Sequence, residues 1–164
     1  MIKNFKNQII MISNFVKAWD ENKNKLEEYF KSHKMEEYSE YNALVKLLFE
    51  KVINPYLLKD NDNKSPFNDS FRTDLMTEID DGDYQGDKIY LIPKNHYQPA
   101  PYQYVFTYNS YGSCSGCDTL LAIVEYNTDK YPNEQEVEEL MTLCLHLLQR
   151  CKYLCDEEQY FNEV

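Results

Sequence analysis

The spacing of the apolar residues changes period twice along the chain, and this constrains the fold more than any single motif. From Asn7 to Phe30, Ile9, Ile12, Phe15, Val16, Trp19, Leu26 and Phe30 recur at helical spacing with Lys and Glu between them, which predicts an amphipathic helix. Ser32-His33-Lys34 breaks the pattern. Tyr38, Tyr41, Leu44, Val45, Leu48, Val52 and Ile53 resume it up to Asn54-Pro55, where a residue lacking a backbone N–H should end a second helix. After the polar stretch Asp60–Ser70, which reads as an exposed loop, the apolar residues fall into short runs. Thr73–Ile79, Lys88–Pro93 and Gln103–Tyr108 are rich in β-branched and aromatic residues and predict an antiparallel sheet of about three strands.

Then the helical period returns. Asp118 can cap a segment Thr119–Tyr126 whose apolar face is Leu120, Leu121, Ile123 and Val124; a helix is expected there, with a fourth strand as the alternative. Asn133 followed by Glu136 resembles a capping box, and Val137, Leu140, Met141, Cys144, Leu147, Leu148, Cys151, Leu154 and Cys155 continue as one stripe. The expected class is therefore α+β, with two N-terminal helices, the small sheet and two C-terminal helices. A chain of 164 residues with 43% apolar content suits one domain, 1–164, divided into a helical part 7–55, a sheet 72–111 and a helical part 118–156. All four glycines lie between 82 and 116. Their tolerance of positive φ predicts tight turns, the first closing a hairpin and the second ending a strand.

The net charge is −11 and uneven. Residues 1–34 carry seven lysines against four acids, which leaves ten basic and 24 acidic residues for 35–164. Such a surface repels phosphate backbones and anionic membranes, so neither direct nucleic-acid binding nor membrane association is expected, and a protein with a basic surface is the favoured partner. The apolar stretch Ile9–Ile12 is interrupted by Ser13, Asn14 and Lys17 before it reaches signal-peptide or membrane-span length. Five cysteines, an odd set concentrated in the last third, do not form the framework of a small secreted domain, and they point to a reducing cytoplasm.

Few segments carry recognisable chemistry. Cys114-Ser115-Gly116-Cys117 lies between an expected strand and an expected helix, a setting in which free helix N–H groups favour a thiolate; Asp118 next to the pair works against it. A structural zinc site needs four ligands, which Cys151 and Cys155 could complete at i, i+4, although both also continue the apolar stripe of the last helix. Asp81-Gly82-Asp83-Tyr84-Gln85-Gly86-Asp87 begins like a calcium loop, but Ile92 stands where the bidentate Glu belongs, so an exposed acidic hairpin is expected instead. A Cys114–His96 nucleophile pair is conceivable and lacks a third, orienting residue. No phosphate-binding glycine loop or serine triad is present. Neither a cofactor nor a catalytic residue is assigned.

The stretch from Asp80 to Gly86, through Tyr97-Gln98-Pro99, to Tyr111-Gly112-Ser113-Cys114-Ser115-Gly116-Cys117-Asp118-Thr119-Leu120 resembles a family of small bacteriophage and prophage proteins without an assigned activity. The resemblance covers the central and C-terminal two thirds. It implies a phage or mobile-element origin, residence in the host-cell cytoplasm and no catalytic label. Joined to the acidic surface, it leads to the expectation of a non-enzymatic accessory protein that binds a host protein, with an acidic inhibitor of a host-defence nuclease such as a CRISPR effector as the type of role. A thiol-redox or metal-binding module built on Cys114 and Cys117 is the alternative. The residues expected to make contact are Asp81, Asp83, Tyr84 and Asp87 of the hairpin, with Tyr111, Ser113, Cys114, Ser115, Cys117 and Asp118 of the cysteine segment; the acids Glu134, Glu136, Glu138 and Glu139 offer a second charged surface.

Overall fold

A computed structural model describes residues 6–61, 65–125 and 128–163. The chain start before Lys6, the Asp62–Lys64 part of the polar loop and Tyr126 lie outside the described residues. The first helix, α1, spans Lys6–Ser32 and buries Met11, Phe15, Ala18, Trp19, Asn22, Leu26 and Phe30. The buried stripe is thus rotated from the expected one. Ile9, Ile12 and Val16 remain exposed on its flank, because a 3.6-residue period running through Phe15, Trp19, Leu26 and Phe30 selects positions 11, 18 and 22 instead. At the end of α1 the Tyr38 hydroxyl donates to the carbonyls of Phe30 (3.2 Å) and His33 (3.0 Å), satisfying acceptors that have no partner inside the helix.

The second helical segment does not stop at Pro55. Helix α2, Tyr41–Leu48, widens into a π turn over Phe49–Ile53, in which the Asn54 amide donates to the Phe49 carbonyl, and continues as α3, Asn54–Leu57. The wider turn resets the helix so that Pro55 falls in a first turn, where no N–H is required. From α1, the buried Asn22 amide donates to the Val52 carbonyl at 3.1 Å and supports this irregular turn. The Asn54 side chain in turn binds both backbone groups of Phe71, at 2.9 and 2.8 Å. That tie seats Phe71 edge-on against Phe15 and Phe49, with ring centroids 6.1 and 5.4 Å away.

The sheet has four antiparallel strands in sequence order: β1 Thr77–Asp80, β2 Gly86–Pro93, β3 Tyr104–Tyr111 and β4 Lys152–Tyr153. The run Thr73–Ile79 is strand only in its second half, since Thr73–Leu75 forms a 3₁₀ turn. Period-two alternation puts Tyr90 and Ile92 of β2 and Val105 and Thr107 of β3 on the helix-covered face. Thr107 completes that contact by donating to the Leu147 carbonyl at 2.6 Å.

Helix α4, Thr119–Val124, is the expected helix rather than a fourth strand, and α5 spans Glu134–Gln149 behind the capping box of Asn133 and Glu136. The last stripe was expected to run helically to Cys155. Instead the chain turns after Gln149 and places Lys152 opposite Phe106 and Tyr153 opposite Val105. The side chain of Gln8 secures this short edge strand, accepting from the Tyr153 amide at 3.1 Å and donating to the Cys151 carbonyl at 3.0 Å. A further helix, α6, covers Glu157–Glu163, where no element was expected, and Tyr160 and Phe161 pack beside Tyr102 at 5.5 and 5.9 Å. The class is α+β as read from the sequence. None of the described helices is long and apolar enough to cross a membrane.

Candidate functional site: the acidic hairpin and the cysteine turn

The β2–β3 register pairs Gly86 with Tyr111, which brings the β1–β2 loop and the turn after β3 to the same end of the sheet. The ten residues singled out from the sequence therefore lie in one region. The two segments are joined directly: Tyr111 donates from its hydroxyl to Asp80 at 2.8 Å, and its own pKa is pushed up to about 12, chiefly by that bond. Lys88 bridges Glu78 at 3.0 Å and Asp80 at 3.8 Å and stands over the Tyr111 ring, 5.2 Å from its centroid.

Within the hairpin, the acids shape the loop before they serve any partner. Asp80 accepts from the Gly82 amide at 3.0 Å, and Asp81 accepts from the Asp87 amide at 2.7 Å. The Gly82 amide, followed by the Tyr111 hydroxyl, holds the Asp80 carboxyl below its ordinary pKa. Gly82 and Gly86 do not adopt positive φ, contrary to expectation. They are needed for close approach: a Cβ on Gly82 would overlap the Gln85 carbonyl, and one on Gly86 would lie 2.7 Å from an Asp81 oxygen. Asp81, Asp83 and Asp87 are exposed, and Tyr84 at the tip is 83% exposed.

The cysteine turn is built around Asp118. Its carboxylate accepts from the Leu121 amide (3.0 Å) as the N-cap of α4, from the Gly112 amide (3.2 Å) and from the Tyr41 hydroxyl (3.0 Å). Tyr41 is buried, its pKa is raised mainly by that burial, and its oxygen accepts from the Leu120 amide at 3.2 Å. Asp118, proposed as a contact residue, is thus an internal tie. Cys117 precedes this cap, and the Leu121 and Leu120 N–H groups of α4 are taken by Asp118 and the Tyr41 oxygen.

The two thiols engage each other instead. Cys114 and Cys117 are free, exposed and have their Sγ atoms 2.7 Å apart. Cys117 Sγ also accepts from the Cys114 amide and donates to the Cys114 carbonyl, both at 3.1 Å, while the Cys117 amide closes the turn on the Cys114 carbonyl at 3.0 Å. Hydrogen bonding from Cys117, then from the Gly116 amide, lowers the Cys114 pKa. Ser113 and Ser115 are exposed and take no part in this network.

Two expected combinations are not formed. His96 follows β2 at the Pro93 end of the sheet and Cys114 follows β3 at the Tyr111 end, so the length of an eight-residue strand, roughly 23 Å, separates them. Cys151 is buried beneath the Leu147 carbonyl, and Cys155 sits beyond β4 at the His96 end, so neither completes a four-cysteine site. Among the described residues, no group of three or more His, Cys, Asp or Glu side chains is arranged to hold a metal ion. Glu136 is likewise committed, to the Asn133 amide (2.8 Å) and to Lys130 (2.7 Å).

Sequence reasoning missed the cleft beside Cys117. It measures about 850 Å³ and is lined by Tyr41, Asn109, Thr142, His146 and Arg150 as well as Cys117. The i, i+4 spacing of His146 and Arg150 shows that they share a helix face, but only the packing of α5 against β3 brings that face to Cys117. Compared with protein families, curated proteins and solved structures, the chain matches none.

Proposed function

We propose that the chain is a non-enzymatic binding protein of phage or mobile-element type that engages the basic surface of a host protein, with inhibition of a host-defence nuclease as the role this chemistry suits. One observation carries the reading: the exposed acids of the hairpin adjoin an open, apolar sheet face. Strand alternation puts Asp87 on the same face as Ile89, and the register aligns Ile79, Ile89 and Tyr108 across three strands, at 50%, 38% and 39% exposure. Leu91 and Phe106 form the next row. A row of large apolar side chains on an uncovered sheet, bordered by carboxylates, gives a partner both contact area and electrostatic steering. The tyrosine at the tip adds an aromatic anchor of the kind interfaces favour.

The test begins with capture from a lysate of the bacterium that carries the gene, followed by binding measurements on the purified partner. The expected partner is a basic protein. Asp81→Asn, Asp83→Asn and Asp87→Asn together should slow association and flatten the loss of affinity with salt that the wild type shows, while Ile79→Thr should speed dissociation. The Debye length falls from about 10 Å at 0.1 M to about 3 Å at 1 M salt, so an affinity that stays flat over that range and in the triple variant would overturn the acidic-contact reading.

A further inference from the structure

We propose that Cys114 and Cys117 form a thiol–disulfide exchange site that reduces low-molecular-weight disulfides and closes into an internal disulfide. The inference is independent of partner binding and rests on the geometry of the turn. A disulfide requires sulfurs about 2.05 Å apart, and the turn brings the two Sγ atoms to 2.7 Å, within reach of that bond. The backbone bond from the Cys117 amide to the Cys114 carbonyl closes the turn that sets the two side chains side by side. Gly112 makes room for it: a Cβ there would lie 2.5 Å from Cys117 Sγ and 2.8 Å from the Cys117 carbonyl oxygen.

The surroundings separate this pair from the two cysteines of the core. Both thiols are exposed, whereas Cys144 and Cys151 are buried and burial pushes their thiols up, Cys151 to about 12, leaving them unreactive. The carboxylate of Asp118, next in sequence, would oppose a thiolate if it were free, but three donors already share its charge. The cleft beside Cys117 supplies space for a departing thiol.

The chemistry balances with a disulfide RS–SR as oxidant. The Cys114 thiolate attacks one sulfur, the S–S bond breaks, and RS⁻ leaves and takes a proton from solvent. Cys117 then loses its proton to solvent and attacks the Cys114 sulfur of the mixed disulfide, which expels the second RS⁻, again protonated by solvent. The protein loses two electrons and two protons, and RS–SR becomes two RSH.

The probe is oxidised glutathione with the full, reduced chain, read by intact and peptide mass spectrometry. The wild type should lose two hydrogens and yield one disulfide, Cys114–Cys117, with an unchanged circular dichroism spectrum. Cys117→Ser should accumulate glutathione on Cys114, because the resolving thiol is gone while the Gly116 amide still favours the Cys114 thiolate, and Cys114→Ser should react about tenfold more slowly. Three results would each overturn the proposal: a wild type that stays reduced in excess oxidised glutathione, one that carries glutathione on both cysteines with no internal bond, or equal reactivity of the two single variants. The exposed Ser replacements are isosteric, and matching thermal melts of the variants exclude unfolding as the cause of lost reactivity.

Discussion

Replacing Asp118 with Ala removes one acceptor that serves three donors on three different elements, and its cost can be assembled from the geometry. Loss of an N-cap acceptor costs about 1 kcal/mol, here the bond from the Leu121 amide. The Tyr41 hydroxyl, on a side chain only 7% exposed, loses its acceptor for about another 1 kcal/mol. The Gly112 amide is partly exposed and can rehydrate, so it adds about 0.5 kcal/mol. The expected total is about 2.5 kcal/mol, which lowers the melting temperature by roughly 5–10 °C for a chain of this length. Asp118→Asn should cost less. The Leu121 amide and Tyr41 both bind Oδ1, which Asn retains, and only the Gly112 amide meets an NH2 group in place of Oδ2. Urea denaturation followed by circular dichroism measures both variants against the wild type, with a constant slope confirming that the native state is being compared. An Ala variant within about 0.5 kcal/mol of the wild type, the range of ordinary surface changes, would refute the assignment of Asp118 as an internal tie, as would an Asn variant less stable than Ala.

Three further outcomes follow from the same geometry. Among the described residues the buried Tyr90 hydroxyl has no hydrogen-bond partner, so Tyr90→Phe should leave stability unchanged or raise it by up to about 1 kcal/mol in a thermal melt, and a loss larger than that would reveal a partner. Gly112→Ala should cost about 1–3 kcal/mol by crowding Cys117, and it should slow closure of the cysteine pair by oxidised glutathione; a variant as stable and as reactive as the wild type would contradict the packing. The Asp80 carboxyl is held below its ordinary value, so its contribution is complete above the unfolded pKa of about 3.9 and is lost as pH falls through the lower folded value. An NMR titration of its carboxyl carbon should find a midpoint below 3.9, and one at or above that value would count against the Gly82 and Tyr111 bonds.

The sequence by itself determined which segments became helix and which became strand wherever the signal was local. The capping box at Asn133 and Glu136, the Asp118 cap and the β-branched runs of β2 and β3 depend on neighbours a few residues away, and each element stands where those residues place it. Tertiary structure decided the rest. Pro55 lies within a continuing helical path because the π turn, supported by Asn22 from α1, moves it into a first turn; β4 exists because β3 and Gln8 offer partners that no local pattern announces. The stripe of α1 was rotated because several registers of Ile, Val and Phe satisfy a helical period, and only the opposing core chooses among them. For the candidate site, the acidic hairpin and the cysteine pair were legible as motifs. Their convergence at one end of the sheet, the diversion of Asp118 to internal bonds and the cleft formed with His146 and Arg150 were not, since each depends on strand register and helix packing between residues far apart in the chain.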